Sequence, residues 1–116
     1  MGVAHHTHFF VWFEMGRTEL LRELGCTYSD MEDQGIFMPV VEAQCRYRAS
    51  ARYDEQLRVE TELEEVAASR VSFRYRLRRE GTKQPLAEGK TVHATVNRDG
   101  EVVRLPSVFR ELLSRS

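Results

Sequence analysis

Between residues 7 and 24 the side chains Phe10, Phe13, Arg17, Leu20, Leu21 and Leu24 recur at helical spacing, and Gly25 follows where a left-handed C-terminal cap belongs. The spacing predicts one long helix from about Thr7 to Leu24. Its first half, Phe9 to Phe13, is apolar all round, while its second half holds Arg17, Glu19, Arg22 and Glu23. Such a helix is expected to start buried, covered on nearly every side, and to end in water. A brief second helix over Asp30 to Gln34, capped by Ser29 and ended by Gly35, fits the punctuation that follows.

After Gly35 the period changes to two. Val41, Ala43, Cys45 and Tyr47 alternate with Glu42, Gln44, Arg46 and Arg48; Leu57, Val59, Thr61 and Leu63 alternate with Arg58, Glu60, Glu62 and Glu64; Val71, Phe73, Tyr75 and Leu77 alternate with Arg70, Arg74, Arg76 and Arg78. Each run predicts a strand with one apolar face and one wet face. A fourth strand, roughly Leu86 to Asn97, alternates more weakly; Asp99-Gly100 then turns the chain into Val102-Val103, and Pro106 opens a short C-terminal helix.

If the second and third strands fold about Ala67-Ala68, Glu60, Glu62 and Glu64 face Arg76, Arg74 and Ser72. Opposite charges across a hairpin support that register by roughly 0.2–1 kcal/mol per pair. The arginine row read as a phosphate-binding stripe is the alternative, and the carboxylates beside it weigh against it. One helix followed by four antiparallel strands implies an α+β fold in which the sheet curls around the helix.

Composition narrows the function classes. The chain has 116 residues, the size of one domain, with Lys+Arg 17 against Asp+Glu 18 and a net charge of -1. No overall field holds a polyanion, so nucleic acid is not an expected partner. Nor does any apolar run reach the ~18–20 residues that cross a bilayer, and the first ten residues lack the parts of a signal peptide. A cytoplasmic protein without a membrane partner is therefore expected. Cys26 and Cys45, with no CxxC partner, read as reduced structural thiols. A chain this short buries only about two thirds of its unfolded surface. Self-association as a homodimer or a homotetramer is expected, with the strand after Pro39 as the edge.

The polar residues set in the most apolar stretch are His5, His6, His8 and Glu14. Glu14 stands beside the helical stripe, where burial would raise its pKa for acid/base work; a salt bridge to Arg17 one turn on is the plainer reading, and spacing alone favours it. His6, His8 and His93 match no zinc spacing, so no metal is expected. Serine-hydrolase, nucleotide-loop and redox motifs are absent.

Gly2-Val3-Ala4-His5-His6-Thr7-His8-Phe9 and Phe13-Glu14-Met15-Gly16-Arg17-Thr18-Glu19, with Gly25, Pro39-Val40-Val41, Tyr47-Arg48 and Ala51-Arg52-Tyr53-Asp54, resemble the hotdog-fold acyl-CoA thioesterases of the 4-hydroxybenzoyl-CoA thioesterase type. The resemblance runs through nearly the whole chain, and Gly2, Val3, His6, Phe13, Glu14 and Arg17 fall on motif positions. His8-Phe9 stand where that family has Asn-Tyr. The family's catalytic Asp would lie three positions before Gly2, upstream of Met1, together with the first strand of the sheet.

The resemblance implies a single hotdog domain over residues 1–116, paired with a second subunit so that two sites lie at the interface. The implied activity is hydrolysis of an acyl-CoA thioester to a carboxylic acid and free CoA, with no metal or organic cofactor. His6 and Glu14 become the catalytic candidates, and Gly2, Val3, Thr7 and Phe10 the substrate-binding ones. A non-catalytic hotdog protein that binds acyl-CoA, or only forms an oligomer, is the competing reading.

Overall fold

Phe9, Phe13, Arg17 and Leu21 follow one another at intervals of four along the first helix, α1 (His6–Glu23), and all four are buried. The computed structural model describes residues 6–48, 57–81 and 84–115. In it α1 is followed by α2 (Tyr28–Asp33), β1 (Val40–Tyr47), β2 (Leu57–Val66), β3 (Arg70–Arg79), β4 (Pro85–Ala94) and α3 (Ser107–Leu113). The strands form one antiparallel sheet in the order β1-β4-β3-β2, with α1 packed on one of its faces. This is the α+β arrangement expected from the periodicities.

The stripe of α1 is narrower than expected. Phe9 and Phe13 are wholly buried, but Phe10, Val11 and Met15 remain exposed, at 37%, 51% and 63%, so the first half is not covered on every side. Arg17, expected on the wet half, is inside. A helix lying on one sheet buries one stripe only, and the four-residue interval passes through Arg17.

The second helix begins earlier than expected and its cap is Thr27, not Ser29. Thr27 is extended (φ -76, ψ 161), its Oγ1 accepts from the Asp30 N–H at 3.1 Å, and the Asp30 carboxylate accepts from the Thr27 N–H at 3.2 Å. That reciprocal box satisfies two otherwise unpaired donors, which a Ser29 cap would leave open.

β3 and β4 lie inside the sheet and their inward rows are buried: Val71, Phe73, Tyr75 and Leu77 on β3, Ala87, Thr91 and His93 on β4. The β2–β3 hairpin turns at Ala67-Ala68 as expected, with Glu60 opposite Arg76 and Glu62 opposite Arg74. The third expected pair is displaced. A register shift between Leu63 and Glu65 puts Glu65, not Glu64, across from Ser72. Released from the ladder, Glu64 accepts from Arg74 Nε at 2.6 Å and from Lys90 Nζ at 3.0 Å. Glu60 pairs diagonally with Arg78 at 2.9 Å. Carboxylates thus occupy much of the arginine row, as the cross-strand reading requires.

β1 departs most from expectation. Its alternation predicts an apolar inner face, yet only Cys45 is half-buried, while Val41 is 56% exposed and Tyr47 37%. It is an edge strand paired only to β4 among the described residues, and a register shift between Val40 and Glu42 turns Val41 out of the ladder. From α1, Phe9 reaches Tyr47, with ring centroids 5.5 Å apart.

β4 ends at Ala94, three residues short of the expected limit. Val96 then bridges both Phe37 and Val102, and Asn97 Oδ1 closes the expected turn by accepting from the N–H groups of Asp99 and Glu101, each at 3.0 Å. α3 returns Phe109 and Leu113 to the core. Two glycines let α1 approach the sheet. A Cβ on Gly16 would lie 2.8 Å from Val59 Cγ1, and one on Gly89 would lie 2.7 Å from Phe13 Cζ.

Candidate active site

Of the residues singled out in the sequence, Gly2 and Val3 lie outside the described residues, as do the side chains of His6 and Thr7. The backbone of α1 nevertheless starts at His6, with no acidic residue in its first turn. The N–H groups of that turn have no partner within the helix and sit at the positive end of its dipole. Phe10 is partly exposed on α1 and meets Phe13 edge-on, with centroids 6.0 Å apart.

Glu14 is exposed and stands on the rim of a groove of about 860 Å³. No ion pair joins it to Arg17 among the described residues, so the expected salt bridge is not made; the Arg17 donors point elsewhere. The groove runs between α1, α2 and the segments around residues 37–40 and 96–100, and Arg17, Tyr28, Phe37, Met38 and Arg98 line it. Arg98 donates to the Glu32 carbonyl at 3.2 Å and lies 5.6 Å over the Phe37 ring.

Behind the groove lies a polar chain that the sequence reading did not assemble. Arg17 Nε donates to the Tyr28 hydroxyl at 2.6 Å and Nη1 to the Tyr75 hydroxyl at 3.1 Å. Tyr75 Oη and Thr91 Oγ1 are 2.5 Å apart, Thr91 Oγ1 and His93 Nε2 2.9 Å, and His93 Nδ1 and the Met38 carbonyl 2.9 Å.

The chain has one consistent polarity. A carbonyl can only accept, so His93 Nδ1 carries the proton and the neutral ring accepts at Nε2. Burial, with the Arg17 charge adding to it, lowers the His93 pKa to about 4 even though the Met38 carbonyl opposes the shift, which keeps the ring neutral near pH 7. Thr91 must then donate to His93, and Tyr75 to Thr91. Both His93 nitrogens are engaged, so its ring offers no free lone pair to a metal.

Burial opposes the Arg17 charge, but the phenols of Tyr28 and Tyr75 outweigh it and the guanidinium is held above its ordinary pKa. Burial also pushes both phenols up, so they stay protonated. The signal for this chain was present as a polar pair, Thr91 and His93, on the inward row of β4, but strand pairing was needed to bring Tyr75 and Arg17 to it. Cys26 and Cys45 are free thiols; burial pushes Cys26 up to about 11 and raises Cys45, so neither is an activated nucleophile.

Residues 1–113 match the model of the thioesterase-like superfamily. A hypothetical protein of Thermus thermophilus, solved by crystallography, is 40% identical and superposes with a TM-score of 0.90 over 99% of this chain and 87% of that one. The DHNA-CoA thioesterase of Staphylococcus aureus is 30% identical with a TM-score of 0.90, over 99% of this chain and 79% of that one. The acyl-CoA thioesterase YbgC of Haemophilus influenzae is 37% identical over 79 residues, 67% of this chain and 58% of that protein. No helix among the described residues is long and apolar enough to cross a membrane.

Proposed function

The chain belongs to the thioesterase-like superfamily and has its hotdog architecture, and from that premise we propose that it hydrolyses an acyl-CoA thioester to a carboxylic acid and free CoA. The observation that carries this reading is the start of α1 at His6, a residue on a motif position of the family. There the first-turn N–H groups, which have no partner within the helix, suit the negative charge that develops on a thioester oxygen during attack. Water adds to the carbonyl carbon and the C–S bond breaks. The proton lost by water ends on the departing thiolate, which leaves as the CoA thiol.

In this reading His6 presents its backbone N–H, and its ring as a base, to the thioester, while Glu14 orients water from the helix. Gly2, Val3, Thr7 and Phe10 contact the substrate. The whole chain, residues 1–116, acts as one such domain in the cytoplasm, where the free Cys26 and Cys45 stay reduced. It works as a homodimer or homotetramer whose subunits meet along the exposed β1 edge, with Val40 and Val41 at the contact.

Steady-state assay over a panel of acyl-CoA thioesters tests the activity. Turnover that Glu14→Gln lowers by about 10²–10⁴ supports the carboxylate assignment. Turnover unchanged in Glu14→Gln removes Glu14 from catalysis and leaves the His6 ring as the base. Saturable acyl-CoA binding with no turnover overturns the hydrolase reading and leaves a binding protein.

A further inference from the structure

Arg17 is a buried cation with no carboxylate among its described partners. Its Nε and Nη1 donate to the two phenols. Its remaining terminal nitrogen, Nη2, donates to no described residue, yet it is absent from the unpaired side-chain atoms that are sealed from solvent. Nη2 therefore touches the solvent of the groove that Arg17 lines.

Tyr28 makes the same kind of offer. Its oxygen accepts from Arg17, and its own O–H has no acceptor among the described residues, although it too lines the groove. Tyr75, by contrast, passes its proton inward to Thr91, which fixes the other half of the guanidinium in place. The result is a cation and a hydroxyl donor, joined by a 2.6 Å hydrogen bond, with their unused N–H and O–H groups on one cavity.

We propose that Arg17 and Tyr28 form a receptor for a carboxylate borne on an apolar body, so that the acyl group this protein accepts is one that ends in a carboxylate. The naming of the acyl group rests on the thioesterase reading; the receptor does not. The walls supply the apolar part of the site, because Phe37, Met38, Val40 and Val96 line the same groove. The charges around it decide between anions. Arg17 and Arg98 are offset by Glu14 and Glu32, so the groove has no net positive charge, and a phosphate dianion meets more repulsion from the two rim carboxylates than a single carboxylate held at Arg17 does.

Matched pairs of CoA thioesters of equal chain length, one ending in a methyl group and one in a carboxylate, test the inference. The native protein should favour the carboxylate-ended member by about tenfold or more in kcat/KM, the size expected of a charge-assisted hydrogen bond in a partly wet site. Tyr28→Phe should bring that ratio toward one, and should weaken binding of a free straight-chain dicarboxylic acid, measured by calorimetry, by a similar factor.

Hydrolysis of both members at similar kcat/KM by the native protein overturns the receptor and leaves the thioesterase reading intact; this arm decides even if the variant does not fold. A preference that Tyr28→Phe leaves undiminished in a folded variant also overturns it. If neither thioester is hydrolysed but diacid binding is seen and Tyr28→Phe abolishes it, the receptor stands and the thioesterase reading falls. If binding of free CoA, and not of the diacid, depends on Tyr28, the guest is a phosphate and the proposal is overturned.

Discussion

The ring of Phe13 rests on Gly89. It stacks on Tyr75 at a centroid distance of 4.5 Å and 13°, and Gly89 is the β4 partner of Tyr75, so the space a side chain at residue 89 would fill is taken by the ring edge. Gln44 O lies 3.0 Å from the same hypothetical Cβ, so the methyl has nowhere to move. Gly89→Ala should destabilise the protein by about 1–3 kcal/mol or more through overpacking, read as a lower urea midpoint. An unchanged midpoint would show that α1 slides freely over the sheet.

The polarity of the buried chain predicts the effect of removing its middle. Tyr75→Phe keeps the Phe13 stack but leaves Arg17 Nη1 without an acceptor and Thr91 without a donor. Destabilisation of about 1–3 kcal/mol is expected by chemical denaturation. Leu77, on the same strand, serves as the reference, since Leu77→Met should cost less than about 1.5 kcal/mol.

His93 should make stability depend on pH. Its folded pKa of about 4 lies below the ordinary histidine value of 6.5, so between those limits the unfolded chain binds the proton and the folded one does not. Stability should therefore be fully present above about pH 6.5 and fall as pH drops toward 4, by up to about 3 kcal/mol. His93→Gln should flatten that part of the curve. A native protein whose urea midpoint does not change between those pH values would contradict a neutral buried ring.

The β1 edge should govern assembly. Val41→Glu places a charge on an exposed apolar residue beside the open ladder, and like charges meet where two copies pair about a twofold axis. Light scattering at micromolar concentration should show the native protein as a dimer or larger and the variant shifted toward monomer. A native monomer would refute the assembly itself.

What the sequence could determine by itself was local. Helical spacing from Phe10 to Leu24 and a terminal Gly25 define α1, strict alternation defines β2 and β3, and Glu60 and Glu62 find Arg76 and Arg74 because a hairpin register depends on a turn and the residues beside it. The family's motif positions, Phe13, Glu14 and Arg17 among them, were legible for the same reason: they lie within a few residues of one another in the chain.

The tertiary structure alone decided which of those residues meet. Arg17 reads as a surface cation until the sheet closes under α1 and brings Tyr75 to its guanidinium, 58 positions away in the chain. The alternation of β1 is as regular as that of β3, yet Val71, Phe73, Tyr75 and Leu77 of β3 lie in the core while only Cys45 of β1 packs against it, so the same pattern yields a buried row in one and an exposed row in the other. Hydrophobic periodicity states which face a strand would bury; only the packing of distant segments supplies the surface that buries it.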